Sequence, residues 1–155
     1  MIELTPIGAI HNPFKERSQA PHQGRLSEEE ITLVIFHPFA EALKDIESCS
    51  HLIVLYWGDR ANREALQLRT LISEVPVGFF SSRSTNCPSP IAFYVADLIH
   101  REGDYLVVRR VDPLDDSPLL DLKLYAPALD FIPLGTTGNI LNSPGKISNG
   151  RKPDA

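Results

Sequence analysis

Three polar segments carry the residue types that could do chemistry, and proline marks each of them. Residues 17–24, Arg17-Ser18-Gln19-Ala20-Pro21-His22-Gln23-Gly24, read as a polar loop between two strands. Residues 81–90, Ser81-Ser82-Arg83-Ser84-Thr85-Asn86-Cys87-Pro88-Ser89-Pro90, leave one strand and enter another. Two prolines stiffen that segment, so Arg83 and nearby backbone groups can be preset for a ligand at low entropic cost. Residues 112–118 set Asp112, Asp115 and Asp116 on a turn braced by Pro113 and Pro118. Closely spaced acids there suit ribose hydroxyls or a cationic ligand. The same prolines, serines and aspartates also make ordinary turns between strands, and spacing alone leaves both readings open.

The usual signatures of catalysis are absent. There is no P-loop, no GxGxxG, no GxSxG and no HExxH. His11, His22, His37, His51 and His100 are scattered without metal-ligand spacing, so no metal site is expected. His51 heads an apolar run and reads as a hydrogen-bonded core histidine. Cys49 and Cys87 form no CxxC pair and read as packing residues of a reducing compartment.

The elements that must position these segments are mostly strands. Residues 2–10 suggest an edge or bulged strand around Pro6 and Gly8. Apolar runs predict further strands at residues 31–36, 50–57, 75–82, 91–101 and 105–111. The last two flank Glu102-Gly103-Asp104, a hairpin turn whose glycine meets a need for positive φ. Phe39, Leu43 and Ile46 fall at helical spacing after Pro38 and predict one short amphipathic helix. Residues 59–73 mix helical and alternating patterns and read as a connector. Many short strands, 13 prolines, 9 glycines and one helix predict a mainly β fold, a small barrel or rolled sheet. Residues 1–133 form the predicted domain, and residues 134–155, rich in Gly, Ser, Asn, Thr and Pro, read as a flexible or extended tail.

Composition narrows the partners. The 155 residues suit one domain. The formal charge of -5 argues against a protein that coats nucleic acid through a general excess of cations. Setting aside residues 134–155 removes three basic residues and one acid, which leaves the body at -7. Any RNA contact must therefore be local. No apolar run approaches the roughly 20 residues of a membrane-spanning helix. The first residues lack the basic and apolar regions of a signal peptide, and the expected location is cytoplasmic.

Taken together, the segments resemble a known family over residues 4–130. The resemblance rests on Ile7-Gly8-Ala9-Ile10-His11-Asn12-Pro13-Phe14, on Pro21-His22-Gln23 and on Ser50-His51-Leu52-Ile53-Val54-Leu55. It continues through Val77-Gly78-Phe79-Phe80-Ser81-Ser82-Arg83-Ser84, Pro88-Ser89-Pro90-Ile91 and residues 112–125. In order and spacing the chain is similar to the TsaA/TrmO-type S-adenosylmethionine-dependent methyltransferases, which methylate N6-threonylcarbamoyladenosine beside the tRNA anticodon. It departs from the family pattern at Cys87-Pro88-Ser89-Pro90, where an arginine-proline-asparagine-proline run is usual, and at Ala92, Asp116-Ser117-Pro118 and Leu124.

The resemblance implies a single-sheeted β-barrel and a homodimer that binds S-adenosyl-L-methionine near its interface, with the tRNA anticodon loop as substrate. By position, it puts cofactor contacts on Pro21, His22 and Gln23, on Asp59 and Arg60, on Arg83 and Phe93, and on Arg110, Val111 and Asp112. Its catalytic candidates are Asp121, Lys123 and Tyr125. A carboxylate at Asp112 suits ribose or the cofactor's positive charge, and Arg83 can fork onto its carboxylate. Two other readings stay open: a divergent methyltransferase for a small molecule, and a non-catalytic barrel that binds the cofactor or a nucleotide. Charge placement separates them. A tRNA enzyme should gather Arg17, Arg25, Arg60, Arg63, Arg69 and Arg83 on one face without pairing each to an acid.

Overall fold

In a strand, successive side chains point to opposite faces, so alternating burial decides which wall is core. The computed structural model describes residues 1–12, 28–68 and 75–135. It contains β1 (Gly8–His11), β2 (Ile31–Ile35), β3 (His51–Trp57), β4 (Gln67–Leu68), β5 (Val77–Gly78), β6 (Ile91–Glu102), β7 (Tyr105–Arg109) and β8 (Ser117–Leu124). Six of these close a barrel in the order β1-β2-β7-β6-β3-β8, every neighbour antiparallel. The mainly β, barrel-type fold expected from the sequence is the one found.

The interior is hydrocarbon. Ile10, Leu33, Leu52, Val54, Ala96, Leu106, Val108 and Leu119 are almost wholly buried. Each fully buried aliphatic side chain of Val or Leu size contributes about 1.5–3 kcal/mol relative to exposure. Tyr56 and Tyr94 stack inside with centroids 6.0 Å apart. Among the described residues the core cluster contains no charged side chain, the Tyr56 phenol being its one titratable group, so charge has to sit on the outer wall or the rim.

Three strands meet at one residue. Along β6, residues 91–97 pair with β3, and residues 97–102 pair with β7 after a register shift between Leu98 and His100. Asp97 alone faces both His51 and Arg109. A bulge of this kind bends a strand and sharpens its twist. The β6–β7 hairpin closes as predicted: Gly103 takes φ +59 in a two-residue loop before Tyr105, a position where glycine avoids a steric penalty.

The remaining expectations shift in detail. Residues 2–10 give only the short β1. Residues 75–82 give β5 and a 3-10 turn at Phe79–Ser81, and β5 pairs with β4 in a separate two-stranded ladder. The helix expected after Pro38 is a 3-10 helix, His37–Leu43, followed by a second turn at Ile46–Ser48. Such tight helices are used in short pieces; Lys44, at ψ 131, ends this one, and Asp45, at φ 65, opens the next turn. Leu43 still enters the core, with Phe39 and Ile46 packed against it. Arg101 holds the segment from β6, donating to the Leu43 carbonyl at 3.0 Å and to Glu47 at 2.9 Å. A single helical turn, α1 (Pro127–Asp130), follows β8. Residues 136–155 of the expected tail lie outside the described residues.

Gly8 shows how closely the walls approach. A Cβ there would land on the Val34 carbonyl oxygen, whereas one at Gly78 would meet nothing. Gly8→Ala should therefore destabilise the barrel by about 1–3 kcal/mol. Gly78→Ala, at an ordinary φ of -65, should leave stability unchanged within about 0.5 kcal/mol or raise it slightly. Urea unfolding of the two variants beside the unmodified protein checks both.

Candidate functional site on the outer wall and rim

At one rim, loops from three strands are sewn together. Arg60, in the turn after β3, donates to the Asp115 carbonyl at 2.7 Å and to the Ser117 hydroxyl at 3.2 Å. Its Nε also reaches Asp59 at 3.2 Å. Asp115 accepts the backbone N–H of Asn12 at 2.9 Å, with His11 3.7 Å away, and the Asn12 amide donates to the Pro113 carbonyl. Asp59 and Arg60 thus tie the β3 exit to the turn entering β8. Arg60 is committed to the protein's own backbone.

Two arginines lie on aromatic rings of the outer wall. The Arg83 guanidinium carbon stands 5.1 Å from the Phe93 ring centroid, and that of Arg63 stands 5.4 Å from the Trp57 ring centroid. Arg63 also donates to the Pro88 carbonyl at 3.0 Å, and the Asn62 N–H donates to Asn86 at 3.0 Å. These bonds join the loops after β3 and before β6. Trp57 pairs with Ile91 and Leu55 with Phe93, so Trp57 and Phe93 are diagonal neighbours on one face, about 7–8 Å apart in such a ladder. Cation–π contact holds both guanidinium groups in place while they stay exposed.

The segment 110–112 is arranged differently from a set of three side-chain ligands. Arg110 takes φ 69, which is uncommon outside glycine. Its Nε donates to Asp97 at 2.7 Å, and Glu28 lies 3.9 Å from its Nη2. The hydrogen bond to Asp97, then the Asp97 charge, raises the Arg110 pKa above its ordinary value. Val111 is fully buried in the core. Val111 could meet a ligand only through its main chain, while the Arg110 side chain is 39% exposed and Asp112 is half-buried beside them.

On the outer face of β8, Lys123 Nζ and Asp121 Oδ2 are 2.5 Å apart, and Asp121 also accepts the Leu122 N–H at 2.8 Å. Tyr125 lies just beyond, edge-on to His51 with centroids 6.1 Å apart. An apolar cavity of about 460 Å³ lies behind Asp121 and Lys123, lined by Ile7, Phe39, Leu43 and Leu124. Pro21, His22 and Gln23 lie outside the described residues.

His51 corrects the reading from sequence. It is not in the core: its side chain is 43% exposed, with Nε2 3.2 Å from Asp97 and Nδ1 2.7 Å from the Ser50 hydroxyl. Position 51 falls on the outward phase of β3, which alternation about the buried Leu52 and Val54 already indicates. Asp97 went unnoticed, although an acid inside the run Ile91–Ile99 is an anomaly that pointed to it. Asp115 and Ser117 gave no signal beyond turn chemistry.

A closed six-stranded antiparallel barrel with a hydrocarbon interior, carrying its ionisable groups on the outer wall and rim, is the class of protein these features define. The chain belongs to the family of tRNA-methyltransferase O N-terminal domains, whose model matches residues 9–131. It is 45% identical over 132 residues to a probable S-adenosyl-L-methionine-binding protein of Archaeoglobus fulgidus, covering 85% of this chain and 36% of that one. A tRNA (adenine(37)-N6)-methyltransferase of Escherichia coli is 28% identical over 142 residues, covering 84% and 60%. The crystal structure of TrmO from Pseudomonas aeruginosa superposes with a TM-score of 0.74 at 30% identity, covering 89% of this chain and 61% of that one. The chain thus spans about a third of the first relative and about three-fifths of the other two.

The rim stitching has a measurable consequence. Arg60→Ala removes two hydrogen bonds across the rim and should lower stability by about 1–3 kcal/mol. Amide exchange at Asp116 and Ser117 should quicken in the same variant. Unchanged exchange would show that the loop holds itself.

Proposed function

We propose that this chain binds S-adenosyl-L-methionine and transfers its methyl group to N6 of an adenosine beside the tRNA anticodon, with threonylcarbamoyladenosine as the acceptor. The observation that carries this reading is the pair of arginine–aromatic stacks on one outer face. Arg63 and Arg83 have no acid partner among the described residues and stand side by side on the β3–β6 wall. Arg60 differs, since it pairs with Asp59; Arg17, Arg25 and Arg69 lie outside the described residues. Two fixed, exposed cations on an acidic body give the local positive patch that the charge balance demands, Arg63 for RNA and Arg83 beside it for the cofactor.

The site fits the cofactor in charge and chemistry. Arg83, held over Phe93, offers a guanidinium to a carboxylate, and Asp112 offers a carboxylate to ribose hydroxyls. S-adenosyl-L-methionine supplies an electrophilic methyl on a sulfonium when bound. The chain's own task is alignment, because in-line displacement depends on placing donor and acceptor within a narrow geometry. The acceptor nitrogen, conjugated with a carbamoyl group, is a poor nucleophile until its proton leaves. Asp121 already accepts from Lys123 and from the Leu122 N–H, so its charge is partly spent. Tyr125, beside His51, is the better placed of the three candidates to meet that proton. A homodimer with the cofactor near its interface is part of the proposal, supported by Ile91 and Phe93, which leave 47% and 40% of their surface exposed on the same wall.

Three measurements test the reading. Calorimetric titration with S-adenosyl-L-methionine should show binding that Arg83→Ala weakens about 10–100-fold, the range expected for lost hydrogen bonds to a charged group; no heat from the unmodified protein would remove the cofactor from the account. Arg63→Ala should weaken binding of an anticodon stem-loop and reduce its salt slope by about one. In cells lacking the gene, mass spectrometry of tRNA nucleosides should show loss of methylated threonylcarbamoyladenosine. An unchanged level would reject that acceptor.

A further inference from the structure

His51 stands between the two segments that the methyltransferase reading needs. On one side its Nε2 meets Asp97 Oδ1 at 3.2 Å, and the second Asp97 oxygen accepts Arg110 Nε at 2.7 Å. On the other side its carbonyl accepts the Tyr125 N–H at 3.3 Å, and its ring meets Tyr125 edge-on at an interplanar angle of 63°. The Ser50 hydroxyl, 2.7 Å from Nδ1, fixes the ring from behind. The Asp97 carboxylate at 3.2 Å and the Ser50 hydroxyl at 2.7 Å bracket the imidazole on both sides, which sets the ring's rotation.

We infer that His51 is a positioning residue, which acts through Asp97 on the left-handed turn at Arg110 and through its ring on the Tyr125 side chain. Left-handed backbone is disfavoured for a residue with a Cβ, and the Asp97–Arg110 bond fixes the direction in which Arg110 leaves β7. The three-strand junction supplies the rigidity: Asp97 is opposite His51 on β3 and Arg109 on β7 at once. His51 therefore sets one spacing between the 110–112 segment and the strand end bearing Tyr125. Methyl transfer is sensitive to that spacing, since about 1 Å of misplacement costs on the order of 100-fold in rate. This inference rests on the proposed function for its kinetic consequence but not for its geometry.

The test compares His51→Phe, His51→Gln and Asp97→Asn in the full chain. Glutamine keeps an N–H donor within reach of Asp97, and phenylalanine keeps only the ring. With S-adenosyl-L-methionine and a threonylcarbamoylated anticodon stem-loop, His51→Phe should lower kcat about 10–100-fold, with KM for the cofactor changed less than threefold. His51→Gln should recover most of the rate. Amide exchange needs no activity: protection at Val111 and Asp112 should fall about tenfold in His51→Phe and Asp97→Asn and be retained in His51→Gln. Unchanged exchange in His51→Phe overturns the inference, as does a glutamine variant as impaired as phenylalanine. If the unmodified protein transfers no methyl group, the proposed function fails while the exchange measurement still decides the role of His51.

Discussion

The carboxylate of Asp97 occupies the one position on β6 that pairs with both neighbouring strands. β6 leaves β3 and takes up β7 there, and the polar groups of all three converge on that side chain. One oxygen faces His51 and the other holds Arg110. The arrangement joins what alternation keeps apart. A barrel packed with Ile10, Leu33, Leu52, Leu106 and Leu119 has no room for charge inside, so its functional groups must communicate around the wall. An ion pair at a partly exposed site contributes little stability. Its value lies in geometry, because it fixes the direction from which a strongly bent backbone at Arg110 leaves β7.

The rim and the wall do different work. At the rim, Arg60 spends its donors on the Asp115 carbonyl and the Ser117 hydroxyl, which makes three loops one body. On the wall, Arg63 and Arg83 keep their charge towards solvent and use aromatic rings as supports. An arginine stacked on a ring loses less freedom on meeting an anion than one that must first be ordered. The acidic body does not conflict with the proposed RNA substrate under this division, since positive charge is presented locally at prepared positions.

Much of the fold was legible in the residues themselves. The runs that became β2, β3, β6 and β7 are apolar stretches of strand length, and Gly103 marks the hairpin. The helix after Pro38 differs in type: Phe39, Leu43 and Ile46 match an α-helical stripe, but seven residues that give way to extended backbone at Lys44 take only the tighter winding. Site positions along the chain came from resemblance, while their partners did not. Spacing cannot reveal that Arg110 turns to Asp97, because that bond depends on a register shift at Leu98 and His100. It cannot reveal that Val111 points inward either, since the chain leaves regular β structure just before it. His51 is the instructive case, because its strand phase was readable and outweighs the apolar company that suggested burial.

Closure of the barrel also has a history in time. Gly8, in the first strand, pairs with Leu119 in the last, so the N-terminal strand must wait for almost the whole described chain before it can complete its hydrogen bonds. Contacts so distant in sequence are the slow ones in folding. During synthesis on the ribosome, β1 emerges with one edge unpaired, and β8 brings both that edge and the Asp121–Tyr125 side of the site. The proposed site and the closed barrel therefore arrive in the same step. A nascent chain released before β8 would lack both the last stave and the strand that carries Asp121 and Lys123.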